Sequence, residues 1–123
     1  MKMHGIDNKG IYEDTVNVLG DLGGGTDDID VSVGNTFSAT VSTSTQTFTF
    51  SNPSASGILI GFILILTNGG SQTVNWPTSV DWIGGTAPEL TSSGVDWLAF
   101  TTLDGGTIWS GFVTGLDVKS PPV

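Results

Sequence analysis

Ile58-Leu59-Ile60-Gly61-Phe62-Ile63-Leu64-Ile65-Leu66 is the most apolar run of the chain, and its reading decides the class of fold. It is far shorter than the roughly 20 residues a membrane-crossing helix requires, and Gly61 interrupts it. Read as a strand, it places Ile58, Ile60, Phe62, Leu64 and Leu66 on one face and Leu59, Ile63 and Ile65 on the other. Both faces must then be dry. One covers the core of a sandwich. The other needs a loop, the N-terminal segment or a neighbouring subunit, and the neighbour is the favoured cover.

The surrounding sequence repeats the strand pattern with turn residues between. Ile29, Val31 and Val33 alternate with Asp28, Asp30 and Ser32, and Phe37, Ala39 and Val41 follow after a turn at Gly34-Asn35. Thr45 to Phe50 puts Phe48 and Phe50 on one face with threonines, which suit an exposed sheet surface, on the other. Asn68-Gly69-Gly70 reads as a tight hairpin into Gln72 to Trp76, and Asp104-Gly105-Gly106 as a second hairpin into Thr107 to Thr114. Val80 to Ile83 and Val95 to Phe100 supply further strands, the latter apolar on both sides. No segment has helical periodicity. The expectation is an all-β fold: an antiparallel β-sandwich, jelly-roll-like, over residues 27–118.

Residues 1–26 differ in kind. Glycine-rich stretches bracket a small apolar piece, Tyr12 to Leu19, that has no core of its own, so the segment reads as an extended arm ordered by lying on something. Residues 119–123 read as an extended tail.

The 123-residue length fits one domain. Twelve acidic side chains face three lysines, Lys2, Lys9 and Lys119, with no arginine, for a net charge of -9. Phosphate backbones and anionic headgroups are gripped mainly by Lys and Arg, so neither nucleic acid nor a membrane is an expected partner. Met1 to Gly10 has no apolar centre and does not read as a secretory signal. The absence of cysteine removes thiol chemistry and disulfides without deciding a compartment.

Chemistry is sparse. His4 is the sole histidine, so hydrolase triads and a zinc site cannot be assembled, and no cofactor or metal is expected. Asp81 and Asp96 each precede a tryptophan, Trp82 and Trp97, which would suit a carboxylate glycosidase; exposed positions beside buried aromatics are the preferred reading. Asp27-Asp28-Ile29-Asp30 offers oxygen ligands but lacks an EF-hand spacing, and a charge-protected strand edge is preferred. Trp76, Trp82, Trp97 and Trp109 read as core or interface residues before sugar platforms. An enzyme is not expected.

Five segments in order carry a family resemblance: Ser51-Asn52-Pro53, Gly61 to Leu66, Val74-Asn75-Trp76-Pro77, Trp82-Ile83-Gly84-Gly85-Thr86-Ala87-Pro88 and Leu103-Asp104-Gly105-Gly106-Thr107-Ile108-Trp109. Together, across Asp27 to Gly115, they resemble a small β-module of tailed-bacteriophage virion proteins, found at tail-fibre ends or decorating capsids. Only a short arm precedes the module here, whereas fibres carry a long shaft, so the chain looks more like a capsid decoration, or cement, protein. The resemblance implies a homotrimer that binds the major capsid protein on the outer capsid surface of the virion. Expected trimer contacts are Ile58, Ile60, Ile63, Ile65, Trp97 and Phe100; expected capsid-binding arm residues are Ile6, Ile11, Tyr12 and Val16. A receptor-binding module at a fibre tip, recognising a host surface glycan or protein, is the alternative.

Overall fold

The computed structural model describes residues 13–119. Nine strands account for nearly all regular structure: β1 (Asn17–Asp21), β2 (Gly25–Asp30), β3 (Thr36–Thr40), β4 (Gln46–Ser51), β5 (Ile60–Thr67), β6 (Val74–Asn75), β7 (Val80–Trp82), β8 (Val95–Thr102) and β9 (Trp109–Val118). One 3-10 turn, Gly69–Ser71, sits between β5 and β6. The fold is all-β, and eight of the strands overlap the segments where alternation and turn residues place them, although the strand expected to run through Val33 ends at Asp30. No helix among the described residues is long and apolar enough to cross a membrane.

The pairing departs from an antiparallel sandwich. A six-stranded sheet has the order β1-β3-β5-β8-β9-β7 and a three-stranded sheet the order β2-β4-β6. The chain alternates between the two sheets from β1 to β6, so successive visits to one sheet run parallel: β1 with β3, β3 with β5, β2 with β4, β4 with β6. Phe37 lies beside Asn17, twenty residues earlier, and Gln46 beside Gly25, twenty-one earlier. The next coil is longer, since Ile63 lies beside Thr36 and Val74 beside Gln46. These are three turns of a parallel two-sheet solenoid, each coil touching its neighbours.

A hairpin closes the stack. Strand β8 pairs antiparallel with β5, and β9 with β8. The turn between β8 and β9 is the expected one at Asp104-Gly105-Gly106, where Gly105 and Gly106 adopt φ of +70° and +88°. The other expected hairpin does not form. Asn68 takes a left-handed φ of 59°, the 3-10 turn follows, and the chain rounds a corner into the second sheet, where β6 joins β4 instead of β5. Asn68 is held there from both sides, its N–H donating to Gly94 O and its Oδ1 accepting from Gly94 N–H.

The core lies between the sheets. Phe37, Ala39, Phe62, Leu64, Leu66, Leu98, Phe100 and Trp109 come from the larger sheet, and Ile29 and Phe48 from the smaller. Its centre is aromatic: Phe62 stacks on Phe100 with ring centroids 5.2 Å apart, Phe50 meets Phe62, Phe100 and Trp109 between 4.9 and 5.3 Å, and Phe48 stacks on Trp76 at 5.3 Å. Edge-to-face and offset pairs add about 0.5–1.5 kcal/mol each beyond their area burial. Glycine makes room for one ring. A Cβ on Gly111 would stand 2.9 Å from the indole of Trp82, so its absence lets that ring lie against β9.

Residues 17–26, expected as part of an extended arm outside the sandwich, contribute β1 and the start of β2. Ile6, Ile11 and Tyr12 lie outside the described residues, as do His4, Lys2 and Lys9.

Candidate functional site

Two surfaces of the fold carry apolar side chains without belonging to the core. The first is the outward face of the six-stranded sheet. Because Phe62, Leu64 and Leu66 point inward, Ile63 and Ile65 point outward, and the β5–β8 register sets Ala99 opposite Ile63 and Trp97 opposite Ile65. Ile65 is almost fully buried; Ile63 and Trp97 are half-buried. Val16 and Val18 line a groove on the same face with Ser38, Thr40, Ile65 and Thr67. Val18 is 76 % exposed. The indole N–H of Trp97 is buried there with no acceptor.

The second surface is the end of the molecule where β2, β4 and β8 finish and β3, β5 and β9 begin. Val33, Ile58, Leu59, Leu103 and Ile108, all between 47 % and 67 % exposed, gather there. Leu59, Leu103 and Ile108 line one groove of about 480 Å³ with Asp104. Val33, Ile58, Leu59 and Ile60 line a larger one of about 800 Å³ that Leu59 joins to the first. Hydrogen bonds fix the loops that carry them: Gly57 N–H donates to Leu103 O at 2.9 Å, and Ile108 N–H to Asp104 Oδ1 at 3.0 Å.

The expected interface residues therefore part company. Ile63, Ile65 and Trp97 share the outer face together with Val16 of the expected arm. Ile58 stands at the apolar end, and Ile60 packs against the core. Phe100 is a core residue with no exposure, in contact with Phe50, Phe62, Trp76 and Trp82, which corrects its assignment to an interface. Alternation gave β8 two apolar faces without saying which was inward. Leu103 and Ile108 were not singled out, Leu59 was read only as part of a doubly apolar strand, and Val33, expected on a buried strand face, stands exposed in a turn; their shared signal was an aliphatic residue inside each of three turns, where a polar residue is the norm.

The chemical candidates separate as well. Asp81 is level with Ser110 and Ser110 with Thr101, five residues from Asp96 along β8, so the two residues are offset by roughly 16 Å along the strands at ~3.3 Å per residue, and by two strand spacings across the sheet besides. Glycosidase pairs sit about 5–9.5 Å apart. Asp96 is moreover fully buried, accepting from Thr91 N–H and hydroxyl at 2.7 Å and from Asp117 N–H at 2.9 Å, which ties the loop before β8 to the end of β9. Among the described residues no three His, Asp or Glu side chains gather as metal ligands.

The acidic strand β2 is an edge strand of its sheet. Asp28 points outward and accepts from the Thr49 hydroxyl at 2.7 Å and from the Ser51 hydroxyl at 2.5 Å, while Asp27 points inward and accepts from the Gln46 amide at 2.9 Å. Gln46 is fully buried, and its Oε1 has no partner. Hydrogen bonds from the Ser32 hydroxyl, Ser32 N–H and Asn52 side chain hold the Asp30 carboxyl below the usual carboxylate value. Those from Ile108 N–H first, and from the Thr102 hydroxyl, do the same for Asp104, against a smaller opposing effect of burial.

The tryptophans form no row of sugar platforms. Trp109 is buried, Trp76 is stacked on Phe48, Trp82 lies against Gly111, and Trp97 is on the opposite side of the sheet. No family model, no curated protein and no solved structure matches this chain.

Proposed function

We propose that this chain is a structural protein of a phage virion, a capsid decoration or cement protein that assembles as a homotrimer and binds the major capsid protein on the outer surface of the shell. The role is adhesive, needs no cofactor and involves no catalysis. The observation that carries it is the cluster of five exposed aliphatic residues at one end of the fold, Val33, Ile58, Leu59, Leu103 and Ile108. Contiguous exposed apolar side chains rimmed by polar residues mark protein contacts, where single scattered ones do not. The outer sheet face, with Val16, Val18, Ile63, Ile65 and Trp97, offers a second apolar surface, and two surfaces are what a protein needs to join its own copies and a shell together. A ligand that binds the assembled shell in preference to free subunits stabilises it by mass action.

The test is the native mass of the full chain followed by co-sedimentation with empty shells. The expected result is a trimer that pellets with shells. Truncation before Glu13 removes Ile6, Ile11 and Tyr12 while leaving β1 whole, and is expected to release the trimer from the pellet. A monomer that stays in the supernatant would overturn the reading.

The solenoid favours one second reading, a module at the tip of a tail fibre that recognises a host surface glycan or protein. Parallel coils stack end to end, and β1 and β2 have no upstream neighbour among the described residues. Retained affinity for a host glycan, with none for shells, would establish that role instead.

A further inference from the structure

We infer that the apolar end of the fold, where Leu59 joins the groove of Leu103 and Ile108 to that of Val33 and Ile58, seats a segment of a partner protein that presents aliphatic side chains between lysines or arginines. The inference deepens the adhesive role proposed above by naming the chemistry of the partner, and depends on it only for where that partner resides.

Three observations carry it. The patch is continuous, because Leu59 lines both grooves and the Gly57 N–H to Leu103 O hydrogen bond clamps the two loops together. It is also built in advance. Asp104 Oδ1 holds the start of the returning strand through Ile108 N–H, Gly106 N–H donates to the Thr102 hydroxyl at 3.0 Å, and Asp30 holds the next turn through Ser32 N–H at 2.9 Å and its hydroxyl at 2.6 Å. Aliphatic side chains on turns pinned in this way bind without a large ordering cost.

Charge selects the occupant. The patch is flanked by carboxylates, with Asp104 in the wall of one groove and Asp30 at the foot of the turn that carries Val33. Lys119 is the only cation among the described residues, and it follows the last residue of β9, at the opposite end of that ten-residue strand from Ile108. A second copy of the chain seated here head to head would bring Asp30 and Asp104 towards their own equivalents, like charge against like. A partner carrying lysine or arginine beside its aliphatic side chains meets both demands, since complementary potentials steer encounter and suppress wrong pairings.

The probe is a synthetic extended peptide alternating leucine and lysine, titrated into the ¹⁵N-labelled full chain beside a leucine–glutamate counterpart. The leucine–lysine peptide is expected to shift the amides of residues 57–60 and 103–108, and the leucine–glutamate peptide to shift none. Leu59→Ser/Leu103→Ser, which keeps every charge, is expected to weaken binding at least tenfold. Leu59→Met/Leu103→Met, which keeps the apolar surface, retains the affinity and separates the patch from any loss of folding. Equal affinity of the serine variant would overturn the inference, because it would show attraction to the acidic surface at large. A wild-type oligomer that falls to monomer in the serine variant would overturn it too, by making the patch a contact between copies. Peptide binding by a protein that ignores empty shells supports the inference and removes only the capsid.

Discussion

Ile65 and Trp97 lie opposite each other in the β5–β8 pair, on the face turned away from the core, and the indole N–H of Trp97 is buried there without an acceptor. A buried unsatisfied donor costs about 1–3 kcal/mol. Trp97→Phe removes the donor and keeps most of the apolar surface, so its unfolding free energy is expected within about 1 kcal/mol of wild type or above it. Trp109→Ala, which empties a buried core position, is expected to lose about 3–5 kcal/mol. Urea unfolding of the two variants side by side checks the contrast.

Asp96 is a fully buried polar anchor that accepts three hydrogen bonds. Replacing it by alanine leaves Thr91 N–H and Asp117 N–H without their acceptor and frees the loop before β8. A loss of about 1–3 kcal/mol for each buried amide left without its acceptor is expected. Hydrogen exchange should show it first at Thr91 and Asp117. Protection unchanged at both amides would refute the anchoring role.

Gly111→Ala tests the seat of Trp82. The new Cβ would meet the indole at 2.9 Å and Val80 Cγ1 at 3.0 Å, so the ring or β7 must move. The expected cost is about 1–3 kcal/mol, the range for overpacking, with a change in tryptophan fluorescence at neutral pH. An unchanged melting temperature and spectrum would show that the ring yields freely.

Asp104 gives the fold a dependence on acid. Its carboxyl is held below the usual value of 3.8, chiefly by Ile108 N–H, so the folded state binds fewer protons there than the unfolded state. The stabilisation is complete above the unfolded value and is lost as pH falls through the lowered folded one. Asp104→Asn is therefore expected to flatten the fall of melting temperature below about pH 4 relative to wild type. Parallel curves for the two proteins would assign the acid sensitivity to other carboxylates.

Strand positions were legible in the sequence because alternation is a local property, and eight segments showed it. Partners were not. Asn68-Gly69-Gly70 announces a bend, but the same residues serve a hairpin or a corner, and what separates them is whether the next strand finds β5 or β4. Val74 beside Gln46 is a contact across twenty-eight residues, which no turn signal encodes. Strand β1 escaped notice because Asn17-Val18-Leu19-Gly20-Asp21 is an edge strand with a register shift between Val18 and Gly20, so it lacks a regular buried face. The expected interface mixed the two faces of β5 and β8: Ile63, Ile65 and Trp97 share the outer one, whereas Phe100 lies in the core, because parity relates faces without orienting them. The apolar end was illegible for another reason, since it is assembled from three turns far apart in the chain.

The hairpin that closes the stack has a consequence for synthesis. Chains emerge from the ribosome N-terminus first, at about 5–20 residues per second, so β1 to β6 can wind while β8 is still unmade. During those seconds β5, the greasiest strand, has one naked edge, and only β8 fits it in register from Ile60–Thr102 to Thr67–Val95. Delay at codons between Thr67 and Val95 should therefore raise misassembly of nascent chains more than the same delay placed earlier.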